Sequence, residues 1–262
     1  MAIIYPSPVF GPVKSRRLGV SLGINLMPGD GKCCSFDCVY CECGLNGDHR
    51  PKQKMPSANE VNRGLEKKLK EMKERKEMLD VLTFSGNGEP TIHPQFGEIV
   101  DMVLSLRDIY YPNAKVSVIS NSTQVHRDEV RNALMKVDNP LMKLDTVSEK
   151  YIKIVDRPTG KYDVNDIIEN IARMNGHAIV QTMFMRGCIK DEKGNMVSVD
   201  NCGNEYIESY IKALEKIKPR QVMIYTLDRE WPVQGLEKAD SETMDAIAEK
   251  IRMAGFYTSV SY

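Results

Sequence analysis

"DVLTFSGNGEPTIHPQFGEIVDMVLSL", residues 80–106, passes from an apolar run through a glycine-bearing loop into an amphipathic pattern. DVLTFSG (80–86) is a nearly continuous apolar run, as expected of a buried parallel strand. GNGEP follows, placing one carboxylate, Glu89, between Gly88 and Pro90. Phe96, Ile99, Val100, Val103 and Leu104 then recur at helical spacing. Strand, polar loop and helix make one β/α unit.

The rest of the chain repeats that unit. GVSLGINL (19–26), KVSVISNS (115–122), PLMKLDT (140–146), AIVQTMFM (178–185) and QVMIYTLD (221–228) read as further strands. Between them lie amphipathic stripes. Ser57-Ala58-Asn59-Glu60 is a capping-box pattern, followed by Val61, Leu65, Leu69 and Met72 on one face. Val164, Ile167, Ile168 and Ile171 form another stripe; Ile207, Tyr210, Ile211, Leu214 and Ile217 a third; Met244, Ile247, Ala248 and Ile251 a last one, ending at Gly255. KKLKEMKERK (67–76) mixes signs and reads as a solvated helix face. Six β-then-α units predict an α/β fold with parallel strands and right-handed crossovers, as an open doubly wound sheet or a partial barrel. In either architecture, function collects at the C-terminal strand ends. Those ends carry a cysteine loop, GNGEP, SNST, KLDT, MRGC and LDREWP, which the reading places on one face.

Thirty-six basic and 36 acidic side chains cancel in a chain of 262 residues, so there is no general pull toward nucleic acid or membrane. No apolar run approaches membrane-spanning length, and MAIIYPSPVFGPVKSRR lacks the layout of a signal peptide. The expectation is a cytoplasmic protein without a membrane partner, in which cysteines stay reduced and a cluster of them means metal binding or catalysis. A single domain is expected over 1–262, its core about 19–228, with a helix and an extra strand, FYTSVS, within 240–262.

KCCSFDCVYCECG (32–44) holds five of the seven cysteines. Cys34, Cys38 and Cys41 give C-x3-C-x2-C, a short loop able to place three thiolates at three corners of a cubane iron–sulfur cluster, leaving one iron open. A structural zinc site draws four ligands from two separated pairs, and no second C-x2-C or His pair lies downstream. Cys33 and Cys43 flank the motif as spare thiols; Cys188 and Cys202 border a polar insertion and read as loop thiols, or as contributors with Cys33 or Cys43 to a second cluster.

This pattern resembles the radical S-adenosylmethionine (radical SAM) enzymes. Tyr40 precedes the last cysteine, where that superfamily usually has an aromatic residue near the adenine. SGNGEP (85–90) stands where it has the motif for the methionine amino group, here with Asn87 between Gly86 and Gly88, and SNS (120–122) where ribose contacts are common. Longer stretches, among them CSFDCVYCECG, TFSGNGEPTIHPQF and IYTLDREWP, are similar to the radical enzymes grouped with wyosine-type tRNA-modification enzymes, although the second cluster motif upstream is absent: no cysteine precedes Cys33. The resemblance implies a partial (β/α)6 TIM-like barrel with a small C-terminal extension. It implies a [4Fe-4S] cluster on Cys34, Cys38 and Cys41, with S-adenosylmethionine held by Tyr40, Gly86, Asn87, Gly88, Glu89, Ser120 and Asn121. It further implies a one-electron donor such as flavodoxin or ferredoxin, and a 5′-deoxyadenosyl radical that takes hydrogen from a small molecule, RNA or peptide. tRNA guanosine modification is one alternative, and a non-catalytic electron carrier another.

The remaining candidates carry two readings each. Lys143 and Asp145 alternate with apolar neighbours, which puts both on one strand face, as substrate groups in a barrel lumen or as a salt-bridged pair. Arg186, Asp228 and Arg229 are substrate or cofactor contacts, or surface salt bridges. Arg16 and Arg17 precede the first strand as a weak signal for phosphate or carboxylate. Trp231 and Tyr225 fit a substrate-facing wall as readily as core packing, and His93 and Thr91 belong with the turn after Glu89.

Overall fold

The structure, a computed structural model, describes residues 2–15, 17–191 and 193–262. Arg16, one of the paired arginines, lies outside them.

The chain runs β1 (Val9–Ser15), β2 (Gly19–Ile24), α1 (Ala58–Glu74), β3 (Val81–Phe84), α2 (Phe96–Tyr110), β4 (Lys115–Ser120), α3 (Asp128–Leu134), β5 (Asn139–Lys143), α4 (Glu149–Val155), α5 (Val164–Ala172), β6 (Ile179–Met183), β7 (Met185–Lys190), β8 (Met196–Ser198), α6 (Asn204–Ile217), β9 (Gln221–Tyr225), β10 (Leu236–Lys238), α7 (Ser241–Met253) and β11 (Thr258–Ser261). All six expected strands form, and FYTSVS supplies β11. Eight strands make one curled half-barrel sheet in the order β1-β2-β3-β4-β5-β6-β9-β11, parallel from β2 onward. β10, β7 and β8 form a small antiparallel sheet beside it.

Local chemistry sets these elements. The capping box at α1 closes in both directions: Ser57 N donates to Glu60 Oε2 at 2.7 Å and Glu60 N to Ser57 Oγ at 3.3 Å. Asp163 and Asp240 cap α5 and α7 with their side chains. Period-2 alternation then divides the sheet into two faces. Leu22, Ile24, Leu82, Phe84, Val116, Val118, Met142, Val180, Val222 and Ile224 pack into the core under the helices. The opposite face, lining the inside of the half-barrel, carries Ser21, Thr83, Ser117, Lys143, Gln181 and Tyr225. Ser21 and Thr83 share a hydrogen bond of 2.8 Å, and Asn139 Nδ2 donates to Ser117 Oγ at 3.0 Å. The inner face is mixed, since Val81, Leu141, Ile179 and Met183 share it with these polar groups, so the strands stay largely apolar on both faces, as their sequence runs predict.

Two features fell outside the sequence reading. VFGPVKS, with a glycine and a proline inside, forms β1 antiparallel to β2, its register shifting between Phe10 and Val13. Phe10 lies over Gly23, where a Cβ would come within 2.2 Å of the ring, so only glycine fits beneath it. The polar insertion after Cys188 is the β7–β8 hairpin, with Cys188 opposite Ser198. Among the described residues, no helix is long and apolar enough to cross a membrane.

Candidate active site

The cysteine loop leaves β2 and crosses the C-terminal strand ends. Backbone bonds hold it to three parts of the barrel. Cys33 N donates to Asn87 O at 2.8 Å and Glu89 N to Cys33 O at 3.3 Å, joining the loop to the end of β3. Val39 N donates to Val155 O at 2.9 Å, and Thr159 N to Ser35 O at 2.9 Å. Val39 itself is fully buried in a second apolar cluster with Tyr151, Val155, Met183, Met185 and Leu227, which seats the loop. The approach to GNGEP leaves no room: a Cβ at Gly88 would lie 1.8 Å from the Cys33 carbonyl oxygen, and its φ of +143° suits glycine.

The loop brings Cys34, Cys38 and Cys41 together, each within electrostatic reach of the other two. They are not equivalent. Burial pushes the Cys34 thiol up to about 12 and Cys38 well above its usual range. Cys41 is pulled down to about 6, first by a hydrogen bond from Cys43 and then by Lys32. The Cys43 thiol donates to Gly86 O at 3.3 Å. Among the described residues no three His, Cys, Asp or Glu side chains converge as ligands for a single metal ion.

Lys32 is 3% exposed and sits beside all three thiols. Its ammonium donates to Gly44 O at 2.7 Å and reaches Asp37 Oδ1 at 3.4 Å. Burial opposes its charge, but Cys41, Cys34 and Cys38 outweigh burial and raise its pKa. A lysine before a cysteine loop reads by default as solvated, so nothing in the sequence marked it.

Glu89 is 2% exposed and receives donors only. Ser120 Oγ gives 2.9 Å and Asn121 N 2.5 Å; Thr91 gives its backbone N–H at 3.1 Å and, closer still, its hydroxyl. Burial raises its pKa while these donors oppose the rise. Asn121 carries the connection on to the cysteines: its Nδ2 lies 3.6 Å from Cys34 Sγ and 2.9 Å from Ser35 Oγ. Gly86, Gly88, Glu89, Ser120 and Asn121 thus meet the cysteine loop at one place. The Asn87 side chain points elsewhere. Fully buried, it accepts from Tyr5 N at 2.8 Å and donates to Tyr5 O at 2.9 Å and Pro28 O at 2.8 Å, clamping the N-terminal segment. His93 is likewise committed, Nε2 to Pro56 O and Nδ1 to Gln95 N.

Lys143 and Asp145 do lie on the inner face, inside a larger network. Lys143 Nζ contacts Asp145 Oδ2 and Asp156 Oδ1, both at 2.5 Å. The Tyr40 hydroxyl donates to Asp145 Oδ2, and Lys143 stands 5.3 Å from the Tyr40 ring centre. Asp156 Oδ1 is 4.0 Å from Cys38 Sγ. Burial, with Asp145 nearby, raises Asp156 to about 7 against the pull of Lys143. Asp156, the C-cap of the short helix α4, carries no local sequence signal.

Arg186 lies on the small sheet and pairs with Asp240 at 3.1 Å. Asp228 is exposed in the loop after β9. Arg229 bridges Glu42 at 2.6 Å and Tyr5 Oη at 2.9 Å. Trp231 packs at the edge of the second apolar cluster. Cys202 is half-buried with its thiol 3.6 Å from Met185 O, and Cys188 is exposed.

Residues 30–197, which include the cysteine loop and every strand end from GNGEP to MRGC, match the radical SAM superfamily. The chain belongs to the radical SAM superfamily. It is 30% identical over 87% of its length to a UPF0026 protein of Helicobacter pylori, covering 69% of that protein. It is 35% identical over 69% of its length to a UPF0026 protein of Methanocaldococcus jannaschii, and spans only 54% of it. Among solved structures, a radical SAM methyltransferase from Sphaerobacter thermophilus superposes with a TM-score of 0.66 over 92% of this chain and 66% of that one; at 14% identity the likeness is one of fold. As a radical SAM enzyme, the protein has the general chemistry of cleaving S-adenosylmethionine for radical reactions.

Proposed function

We propose that Cys34, Cys38 and Cys41 hold a [4Fe-4S] cluster with one iron left for S-adenosylmethionine, and that the bound cofactor initiates hydrogen abstraction from a substrate in the half-barrel. When bound and reduced, this pair supplies the 5′-deoxyadenosyl radical, formed with methionine by scission of the sulfur–C5′ bond. One observation supports the reading above the others: the bonded path from Glu89 through Asn121 to Cys34.

The residues suit the group they would hold. Thiolate is the usual protein ligand of such clusters. Cys41 is pulled toward its thiolate form, whereas burial holds Cys34 and Cys38 toward their thiols, so ligand binding by the latter two would release protons. Lys32 offsets negative charge gathered on the three sulfurs. Glu89, a buried carboxylate without a paired cation among the described residues, offers a counter-charge for the cofactor's amino group. Tyr40, fixed by Asp145, presents its ring for the adenine. Gly86 and Gly88 bring backbone close to the loop, and Asn87 acts through its backbone carbonyl. The Lys143–Asp145–Asp156 network orients Tyr40 and braces the side of Cys38. A flavodoxin- or ferredoxin-type donor supplies the electron.

Anaerobic reconstitution with iron and sulfide, followed by assay of 5′-deoxyadenosine with dithionite or a flavodoxin system, tests the proposal. The expected result is about four irons per chain and deoxyadenosine formation that is lost in C34A, C38A and C41A but kept in C188A and C202A. A fully loaded protein that makes no deoxyadenosine with any reductant, while cycling reversibly between two redox states, would instead be an electron carrier.

A further inference from the structure

Arg17 stands in the turn joining β1 to β2, yet its guanidinium carbon lies 4.4 Å from the centre of the Tyr225 ring at the end of β9. Tyr225 belongs to the inner face, since its neighbours Val222 and Ile224 point into the helical core. The guanidinium therefore projects into the half-barrel from beyond its β2 side. There it stacks on the ring, as arginine readily does. What it lacks is an anion. No carboxylate among the described residues forms a salt bridge with Arg17, and its Nη1 is shielded from solvent with no hydrogen-bond partner. A buried cationic donor left unpaired is costly unless a ligand completes it.

A second group points the same way from a different strand. Gln181, on the inner face of β6, is 5% exposed. Its amide lies close to the Tyr225 hydroxyl, and its Oε1 is buried without a hydrogen-bond partner. The Tyr225 ring thus carries two unsatisfied groups, a cationic donor over its face and an acceptor beside its hydroxyl. Tyr225 also lies within electrostatic reach of Lys143, Asp145 and Tyr40, so this place adjoins the network around the cysteine loop. Lys143 is itself a cation, but Asp145 and Asp156 occupy it.

We infer that Arg17, Gln181 and Tyr225 form a substrate subsite for an oxyanion, a carboxylate or phosphate group, flanked on the substrate by a hydrogen-bond donor that meets Gln181 Oε1. The anion takes the free N–H of Arg17, and the Tyr225 ring fixes the plane of the guanidinium. Calling the ligand a substrate rests on the radical chemistry proposed above; the anion site itself does not.

The test uses full-length protein labelled with [15N]arginine, without cluster or S-adenosylmethionine. The Arg17 Nε–H resonance is identified by its loss in R17K, and inorganic phosphate and acetate are titrated separately. A saturable shift of that resonance at about 1–10 mM, with the other arginines unmoved, is the expected result; the tighter of the two anions names the substrate group. Q181M should keep the fold, checked by circular dichroism, weaken binding of phosphate, whose P–OH can donate to Oε1, about threefold to tenfold, and leave that of acetate, which has no donor, unchanged. If neither anion moves Arg17, or if all arginines shift together, the inference is wrong. Deoxyadenosine assays run in parallel separate the two ideas: turnover with no anion binding sinks the subsite alone, whereas anion binding without turnover leaves it standing.

Discussion

Glu89 ties two strand ends together and, under the proposed function, also meets the cofactor. Four donors from two strand ends converge on it, so its removal disturbs the fold as well as the site. E89Q sets an amide N–H against the Asn121 N–H. It should lower stability of the metal-free protein by about 1–3 kcal/mol in urea titrations. In the reconstituted protein, calorimetry should show S-adenosylmethionine binding weakened by more than about tenfold, through loss of a charge-assisted contact. Unchanged affinity would remove Glu89 from the cofactor site. The Cys41–Cys43 pair makes a second claim at this scale. Cys41 is depressed to about 6, so in metal-free protein its iodoacetamide labelling should rise with pH around that value. C43A removes the principal cause and should move the midpoint upward; a midpoint that stays in place would show that Lys32 alone sets it.

Among the elements, the N-terminal segment depends on Asn87. Its side chain satisfies three buried backbone groups, two on Tyr5 and one on Pro28. N87A should cost about 2–4 kcal/mol and expose the Tyr5 amide to hydrogen exchange while β3 and β4 remain protected. Equal exchange at Tyr5 in both proteins would count against the clamp. This residue also marks the boundary of what sequence could tell. Strands and helices with a clear period were legible because burial imposes that period locally. β1 was not, because its glycine and proline read as a turn and its pairing with β2 carries the strand. Cys34, Cys38, Cys41 and Glu89 stood out because spacing and turn chemistry are local. The tasks of Asn87, Lys32, Asp156 and Gln181 depend on partners brought close only by folding, up to 82 residues away for Asn87. A buried lysine or aspartate looks like a surface one until its partners are known.

For the whole molecule, the C-terminal unit closes one edge of the sheet. β11 pairs with β9, and α7 buries Met244, Ile247 and Ile251 against the core. Three such side chains contribute about 5–9 kcal/mol at about 1.5–3 kcal/mol each, comparable to the whole stability of a typical domain, about 5–15 kcal/mol. A chain ending at Asp240 should therefore fail to fold cooperatively and should associate through the bare edge of β9. Thermal unfolding followed by circular dichroism, with sedimentation, checks this; a monomeric truncated chain with a sharp transition would contradict it.

The stapling of the cysteine loop bears on the order of events when the protein is made. Its bonds run to Asn87, to Val155 and from Thr159, so the loop takes shape only after chain synthesized more than a hundred residues later has joined the barrel. The seat is built from backbone hydrogen bonds and the apolar packing of Val39, neither of which needs iron. In contrast to small domains that fold around their metal, a chain seated this way is expected to fold before its proposed cluster is loaded. On that reading, iron and sulfide reach a folded protein whose receiving thiols are one buried cysteine, Cys38, and two half-buried ones, Cys34 and Cys41.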